Sequence, residues 1–242
     1  MDKLISSLMS AEDDAPLTDR AYRTLRAAIV RCEFEPGVRL KIESLSGQYG
    51  FSSSPLREAL SRLAHEGLVL ALEHRGFRVA PIALGALKDL THMRLLLETD
   101  ALASAIEHGG DEWESRVVAA FHRLSLVEQR LRPEGPLALN DDWSDRHKNF
   151  HLALFSGGNS AILLRTAEMF FVQAERYRRF SALHRRSSRF KAAEHQALMN
   201  AALARKKTEA IELLRAHIGK TTENISAALA RMKLPDHEGA LT

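Results

Sequence analysis

The alternation of apolar and polar residues predicts two short helices and a β-hairpin within residues 42–80. Leu45 and Tyr49 lie one helical turn apart, and Gly50 then supplies a residue that tolerates the positive φ at which helices often end. A second helix follows, because three leucines recur at helical spacing before Gly67: Leu56, Leu60 and Leu63. The apolar runs LVLAL and GFRVA, separated by a polar tip, predict the hairpin. These elements, in this order, are those of a winged helix-turn-helix.

The start and the polar face of the second helix carry residues suited to DNA. Serines offer hydroxyls for the N-cap, and Pro55 has its φ preset for a first helical turn. Hydroxyls and backbone N–H groups hold phosphates, while guanidinium groups reach phosphates or guanine edges in the major groove. The predicted DNA-binding residues, including the tip of the wing, are Ser52, Ser53, Ser54, Arg57, Arg62, Arg75 and Gly76. The alternative is a small helical subdomain whose arginines are merely solvated.

The residues around this motif complete an N-terminal domain predicted to span residues 16–80, after a flexible tail at 1–15. Thr18 is a candidate cap for a helix that runs to about Cys32 and turns Tyr22, Leu25, Ile29 and Cys32 inward. Glu35, Pro36 and Gly37 predict a turn, after which residues 38–41 are expected to add a short strand beside the wing.

From residue 84 onward the pattern changes to leucine and alanine at helical spacing, which predicts an all-α second domain. We expect a linker at 81–86, a helical domain at 87–232 and a tail at 233–242. Its helices are predicted at about 85–108, 111–132, 139–155, 159–181, 189–204 and 208–232, with Asp111, Asn159 and Thr208 as caps and a loop at 133–136. The fold class is therefore mainly α: a winged helix-turn-helix plus a C-terminal all-α helical bundle.

Composition supports this interpretation and also indicates the cellular compartment of the protein. The 242 residues are 45% hydrophobic and carry a net charge of +3, to which the N-terminal domain contributes ten Lys or Arg against seven Asp or Glu. The lone cysteine, Cys32, cannot form an intramolecular disulfide and is interpreted as a buried thiol. No apolar run is long enough for a membrane span or a secretory signal, so we expect a cytoplasmic protein.

Four of the eleven histidines form a candidate metal site on three predicted helices. His147 and His151 lie one turn apart on one helix face, and His195 and His217 lie on two later helices. Imidazoles that point inward from facing helices are able to hold a metal in a helical bundle. Spacing alone leaves the alternative of structural or surface histidines open.

The segment PLREALSRLAHEGLV followed by RGFRVA resembles the GntR family of bacterial transcription regulators, whose N-terminal domain is a winged helix-turn-helix. Arg57 matches the arginine of the family's P-L-R-E-A core. Relatives commonly carry arginines where this chain has Glu43 and Ser53, so the resemblance implies the fold but not the base preference. We also expect a homodimer on a palindromic operator, because one recognition helix reads only a few base pairs.

The segment DRHKNFHLALFSGGNSAIL resembles the FCD ligand-binding domain found in one large branch of these regulators. The resemblance implies a metal site in which His151, His195 and His217 match three histidine ligands, the last two separated by 22 residues. The family's acidic ligand is replaced by His147, so the site is either all-histidine or completed by Asp145 or a water. An all-histidine site favours zinc, or alternatively nickel, over magnesium.

The same resemblance implies a carboxylate effector. Arg94 and Glu98 occupy an R-x-x-x-E pattern seen in similar regulators, and the alternative is an ordinary ion pair on a solvated face. Within QAERYRRF, Tyr177 or Arg178 is expected to line a dicarboxylate pocket, while most of the arginines are expected at the surface. GGDEWE, D-x-W-x-x-R-H-x-x-F-H and A-x-R-Y-R are similar to the branch that represses glutarate catabolism, which implies glutarate or a similar dicarboxylate.

Two functions are weighed on these grounds. The first is a dimeric repressor that leaves its operator when a small acid binds beside the metal. The alternative is a metal-dependent enzyme acting on a small acid, with an appended DNA-binding domain. Hydrolysis would need a general base beside the metal, and Glu168, Glu175 and Glu194 have no recognisable catalytic spacing, so no catalytic residue is assigned.

Overall fold

A computed structural model of the chain describes residues 15–73, 75–130, 141–184 and 192–232. The chain divides into two compact units between Ile82 and Ala83. The expected tails (residue 15 aside), the tip residue His74 and the predicted loop at 133–136 lie outside the described residues. None of the helices within the described ranges is both long enough and apolar enough to cross a membrane.

The first unit is a winged helix-turn-helix, as predicted. Its elements are α1 (Leu17–Val30), β1 (Arg39–Leu40), α2 (Ile42–Tyr49), α3 (Ser53–His65), β2 (Val69–Leu72) and β3 (Gly76–Val79). The strands form an antiparallel sheet in the order β1-β3-β2, in which Leu40 pairs with Phe77 and Leu70 with Arg78. The short strand expected beside the wing is therefore present as β1.

Local chemistry explains the turn between α2 and α3. Gly50 has φ 73°, and its N–H donates to the carbonyl of Ser46 at 2.9 Å, which ends α2 as the sequence predicted. Ser52 occupies the N-cap of α3, although its hydroxyl makes no capping hydrogen bond. Three leucines of α3 are fully buried and hold the helix against the rest of the unit: Leu56, Leu60 and Leu63.

Helix α1 ends two residues before its predicted limit. Cys32 lies in the following turn with φ 59° and is half-buried, so its predicted place on the inward helix face is wrong. The face itself is buried through Ala21, Leu25, Ala28 and Ile29, spaced at four, three and one residues. The sequence alone did not show where α1 ends. An apolar residue at position 32 is compatible both with a last helical turn and with a tight turn after the helix.

In its described residues the second unit has α-helices and no β-strand. It contains α4 (Leu84–His108), α5 (Asp111–Glu128), α6 (Asp141–Phe155), α7 (Ala161–Leu183), α8 (Ala192–Leu203) and α9 (Lys207–Arg231). Helix α4 begins at Leu84, inside the segment expected as a linker. A continuous apolar core includes Leu102, Trp113, Phe150 and Leu214.

Several helix caps differ from the predicted residues by one or two positions. Ser160, not Asn159, caps α7, and its Oγ accepts the N–H of Leu163 at 3.1 Å. Asp111 and Thr208 lie inside the first turns of α5 and α9, where Asp111 still interacts favourably with the helix dipole. Thr18 lies inside α1, and its hydroxyl donates to Glu58 at 3.4 Å.

Candidate functional site

The predicted DNA-binding residues at the start of α3 are exposed. Ser52, Ser53, Ser54 and Arg57 all lie on the solvent side of this helix. Arg75 and Gly76 are exposed in the hairpin, where Gly76 has φ 84°. Within the described part of the chain, neither Arg57 nor Arg75 forms an ion pair with a carboxylate, so both guanidinium groups are available to a phosphate.

Arg62 differs from Arg57, although both lie on the polar side of α3. Its Nη1 contacts Asp19 of α1 at 2.6 Å, and its guanidinium carbon lies 4.1 Å from the ring centre of Tyr22. The hydrogen bond to Asp19 raises the pKa of Arg62. Arg62 therefore holds α1 against α3 in this structure.

A second contact between α1 and the end of α3 was not predicted from the sequence. The hydroxyl of Tyr22 donates to Glu66, and Arg26 Nε lies 3.0 Å from the same carboxylate. Burial and the hydrogen bond to Glu66 raise the pKa of Tyr22 to about 12, so the phenol remains protonated at neutral pH. These polar contacts and the buried leucines of α3 hold the helix in place, so its exposed face has a fixed position in the unit.

In the second unit the four predicted histidines meet. His147 and His151 of α6, His195 of α8 and His217 of α9 each offer a nitrogen within 4.8 Å of the nitrogens of the others. All four side chains are buried, and His217 is the most exposed at 5%. The i, i+4 spacing places two imidazoles on one face of α6, while tertiary packing brings the other two opposite them.

Two of these imidazoles are oriented by carboxylates. His195 Nδ1 lies 3.0 Å from Glu128 Oε1 and His217 Nδ1 lies 2.9 Å from Glu194 Oε2. An N–H donated from Nδ1 leaves Nε2 as the atom able to bind a metal. Glu128 was missed from the sequence, because it lies 67 residues from His195 and no local motif connects them.

His151 lies in a setting that suits a metal ligand. Within the described part of the chain, neither of its buried ring nitrogens has a hydrogen-bond partner. Burial lowers the pKa of His151 well below its ordinary value, and His217, His195, Arg94 and Arg178 lower it further. The imidazole is therefore neutral, which is the protonation state that binds metals.

The donor set fits a divalent metal of borderline softness. Buried imidazole nitrogens suit zinc or nickel, whereas magnesium prefers oxygen ligands. Asp145, the alternative ligand, is exposed and does not belong to the cluster, while His147 does. The residues present thus favour the all-histidine alternative.

Two buried arginines lie beside the histidines. The guanidinium carbons of Arg94 and Arg178 lie 5.3 and 4.5 Å from the ring centre of Phe171. The same ring lies 5.3 Å from His151 and 5.5 Å from His147. Phe171 therefore links the histidine cluster to both cations.

Each arginine is balanced by a carboxylate on its own helix. Arg94 Nη2 donates to Glu98 Oε2 at 3.1 Å, and the two side chains are only 5% and 0% exposed. The alternative of a solvated surface pair is therefore wrong. Arg178 Nη2 lies 2.6 Å from Glu175 Oε2, and the side chain of Arg178 is only 5% exposed, so Arg178 does not lie at the surface either.

The expectation that most arginines of QAERYRRF are surface charges is also wrong. Arg176 is 3% exposed, and the side chain of Arg179 is 10% exposed, with Nε 2.9 Å from Glu175 Oε1. Burial would raise the pKa of Glu175, but Arg178, a hydrogen bond from Ser144 and Arg179 lower it below its ordinary value. Glu175 is therefore ionised and joins α6 to α7.

Tyr177 is buried on α7, but its hydroxyl is already engaged. The O–H donates to the carbonyl of Ala83 at 3.4 Å, and burial raises the pKa of the phenol. This contact joins α7 to the start of α4. In this structure Tyr177 therefore helps to fix the segment of α7 that carries Arg178.

Comparison with known sequences identifies both units. The sequence model described as "Bacterial regulatory proteins, gntR family" matches residues 17–79, and the one described as "FCD domain" matches residues 89–220. The chain is 41% identical over 202 residues to BphR of Paraburkholderia xenovorans strain LB400, an uncharacterised HTH-type transcriptional regulator, covering 84% of this chain and 82% of that protein.

A second relative and a solved structure agree with these matches. The chain is 38% identical over 213 residues to the HTH-type transcriptional repressor GlaR of Escherichia coli K12, covering 86% of this chain and 96% of GlaR. The structure of E. coli McbR/YncC superposes with a TM-score of 0.71 over 90% of this chain and all of that one, at 22% identity, which supports the fold alone. With matches to both domains and two relatives along most of its length, the chain belongs to the GntR family of bacterial regulatory proteins and carries an FCD domain as its second unit.

Proposed function

We propose that this DNA-binding transcriptional regulator is a repressor that leaves its operator when a short dicarboxylate binds beside a metal in the FCD domain. The observation that carries the proposal is the four-histidine cluster, whose nitrogens lie within 4.8 Å of one another, next to two buried arginines across Phe171. Repression is supported by the 38% identical relative, which is named a repressor.

The metal would be held by His147, His151, His195 and His217. Zinc is the first candidate and nickel the second, because neutral imidazoles are their common ligands in proteins. When bound, the metal supplies a positive charge and a Lewis-acidic position for a carboxylate oxygen. The protein contributes the fixed imidazoles and excludes water from them.

The effector would be a short dicarboxylate, with glutarate as the first candidate. Arg94 and Arg178 present planar guanidinium groups on two different helices, and such groups bind carboxylates through paired hydrogen bonds. Glu98 and Glu175 keep these guanidinium groups in place before the effector arrives. Two cations near one metal site favour an effector with two carboxylates over one with a single carboxylate.

The DNA contacts would come from the exposed start of α3 and from the wing. Ser52, Ser53, Ser54 and Arg57 would hold phosphates and base edges, and Arg75 and Gly76 would approach the backbone beside them. Arg62 supports this surface by holding α1 to α3. Two copies are proposed to bind a palindromic operator.

The alternative of a metal-dependent enzyme gains no support. The matched families and relatives are transcription regulators. Glu175, one of the candidate general bases, is held by two arginines and Ser144, while Glu194 accepts a hydrogen bond from His217. Neither carboxylate is therefore free to move a proton to or from a substrate.

The test combines elemental analysis with operator-release titrations. His151→Ala should lower the metal content of protein purified without chelators, because removing one imidazole opens the chelate. Its operator affinity without glutarate should match that of the wild type, while the glutarate concentration needed for release should rise at least about tenfold. His122→Ala is the matched control, because His122 is exposed on α5 outside the cluster.

Two outcomes would contradict the proposal. One is a wild-type protein that contains no metal and takes up none from added zinc or nickel. The other is a His151→Ala protein that releases its operator at the wild-type glutarate concentration. Substituting His147 in the same assays decides its role: a loss equal to that of His151→Ala makes it a ligand, and a mild effect places it outside the metal shell.

A further inference from the structure

Glu128 is a buried carboxylate behind the histidine cluster, at the last residue of α5. Its side chain is 7% exposed, and its Oε1 lies 3.0 Å from His195 Nδ1. Because a carboxylate accepts hydrogen bonds, the imidazole donates from Nδ1 and presents Nε2 to the cluster. The tautomer of one proposed ligand is thus set by a residue from a different helix.

The same carboxylate also supports a second imidazole. The indole Nε1 of Trp143 donates to Glu128 Oε1 at 3.4 Å. Trp143 in turn stacks on His147, with ring centres 4.5 Å apart and planes inclined by 13°. Glu128 therefore holds His195 directly and His147 through a stacked indole, so that one carboxylate orients two of the four rings.

The charge of Glu128 has an unusual environment. Two other buried carboxylates, Glu98 and Glu175, each pair with an arginine. Within the described residues, Glu128 has no lysine or arginine within ion-pair distance, and its Oε2 has no hydrogen-bond partner. A buried charge without a counter-ion is costly, and a dication on the far side of His195 would offset that cost.

We propose that Glu128 is a positioning residue for the metal: it fixes the Nδ1–H tautomer of His195, supports His147 through Trp143, and supplies the negative charge that a divalent cation in the cluster balances. The inference rests on the proposed metal site and adds a residue to it. It also distinguishes Glu128 from Glu194, which orients His217 but is 26% exposed and lies 3.7 Å from Lys220. Glu194 therefore has both solvent and a cation to balance its charge.

The test compares two substitutions of matched chemistry, Glu128→Gln and Glu194→Gln, in the full-length protein. Zinc affinity is measured by competition with a chromophoric chelator, and the melting temperature is measured with and without zinc. Glu128→Gln should weaken zinc binding by about 10–100-fold, the range seen when partners of metal ligands are removed. Glu194→Gln should have a smaller effect, because its charge is already compensated.

The melting temperature separates positioning from simple packing. Removing an uncompensated buried charge should leave metal-free Glu128→Gln at least as heat-stable as metal-free wild type, while the zinc-induced rise becomes smaller. A packing residue would instead lower the melting temperature of the metal-free protein and leave zinc affinity unchanged.

Two results would overturn the inference, and they differ from each other. In the first, Glu128→Gln binds zinc as tightly as the wild type while His151→Ala loses zinc. This result would contradict the role of Glu128 but would still support the histidine metal site. In the second, the wild-type protein itself does not bind zinc, which would contradict both the metal site and the role of Glu128.

Discussion

Two arginines on α3 have different surroundings and therefore different expected roles. Arg57 is exposed without an ion-pair partner in the described chain, whereas Arg62 packs on Tyr22 and contacts Asp19. Arg57→Ala should weaken operator binding by about 1–3 kcal/mol and reduce the dependence of affinity on salt. Affinities measured by fluorescence anisotropy at two salt concentrations check this prediction.

Arg62→Ala is the matched comparison on the same helix. It removes an ion pair and a stacked guanidinium, so it should lower the free energy of unfolding by about 0.5–2 kcal/mol. The salt dependence of operator binding should remain close to that of the wild type. Equal losses of affinity and salt dependence in the two variants would show that the assigned difference between these arginines is wrong.

At the scale of elements, Trp113 packs where α4, α5 and α6 meet. Its Nε1 donates to the carbonyl of Ala153 at 3.0 Å. A Cβ added at Gly157 would lie 2.8 Å from the indole and 2.9 Å from the carbonyl oxygen of Ala105. The close packing of these helix ends therefore requires glycine at this position.

Gly157→Ala should consequently destabilise the FCD domain by about 1–3 kcal/mol, because backbone and a large buried ring must both move. Chemical denaturation followed by circular dichroism measures the change. Gly219→Ala is the control: an added Cβ in α9 meets nothing within 4 Å, and the substitution should be neutral or stabilising by up to about 1 kcal/mol. A Gly157→Ala protein as stable as the wild type would contradict the packing.

For the whole molecule, we predict a homodimer. One α3 helix spans only a few base pairs, and two copies related by a two-fold axis would read a palindromic operator at half-sites about one helical turn of DNA apart. Sedimentation equilibrium should give twice the chain mass of 27.0 kDa. A monomer that still binds the full operator with wild-type affinity would exclude this arrangement.

Local patterns in the sequence determined the elements and part of each site. Apolar spacing predicted the buried leucines of α3, Gly50 predicted the end of α2, and the change in periodicity after residue 84 predicted the helical domain. The spacing of His147 and His151 placed two imidazoles on one helix face. These features depend on residues only a few positions apart, whose geometry is set by the helix or the turn itself.

Only the tertiary structure decided which distant side chains meet. It brought four of eleven histidines together, buried the Arg94–Glu98 pair that its spacing left ambiguous, and placed Glu128 behind His195 across 67 residues. It also showed that the arginines of QAERYRRF turn inward, where Glu175 balances two of them. A polar residue on a helix has the same local pattern whether it faces water or a partner helix, so its role depends on packing that the local sequence does not contain.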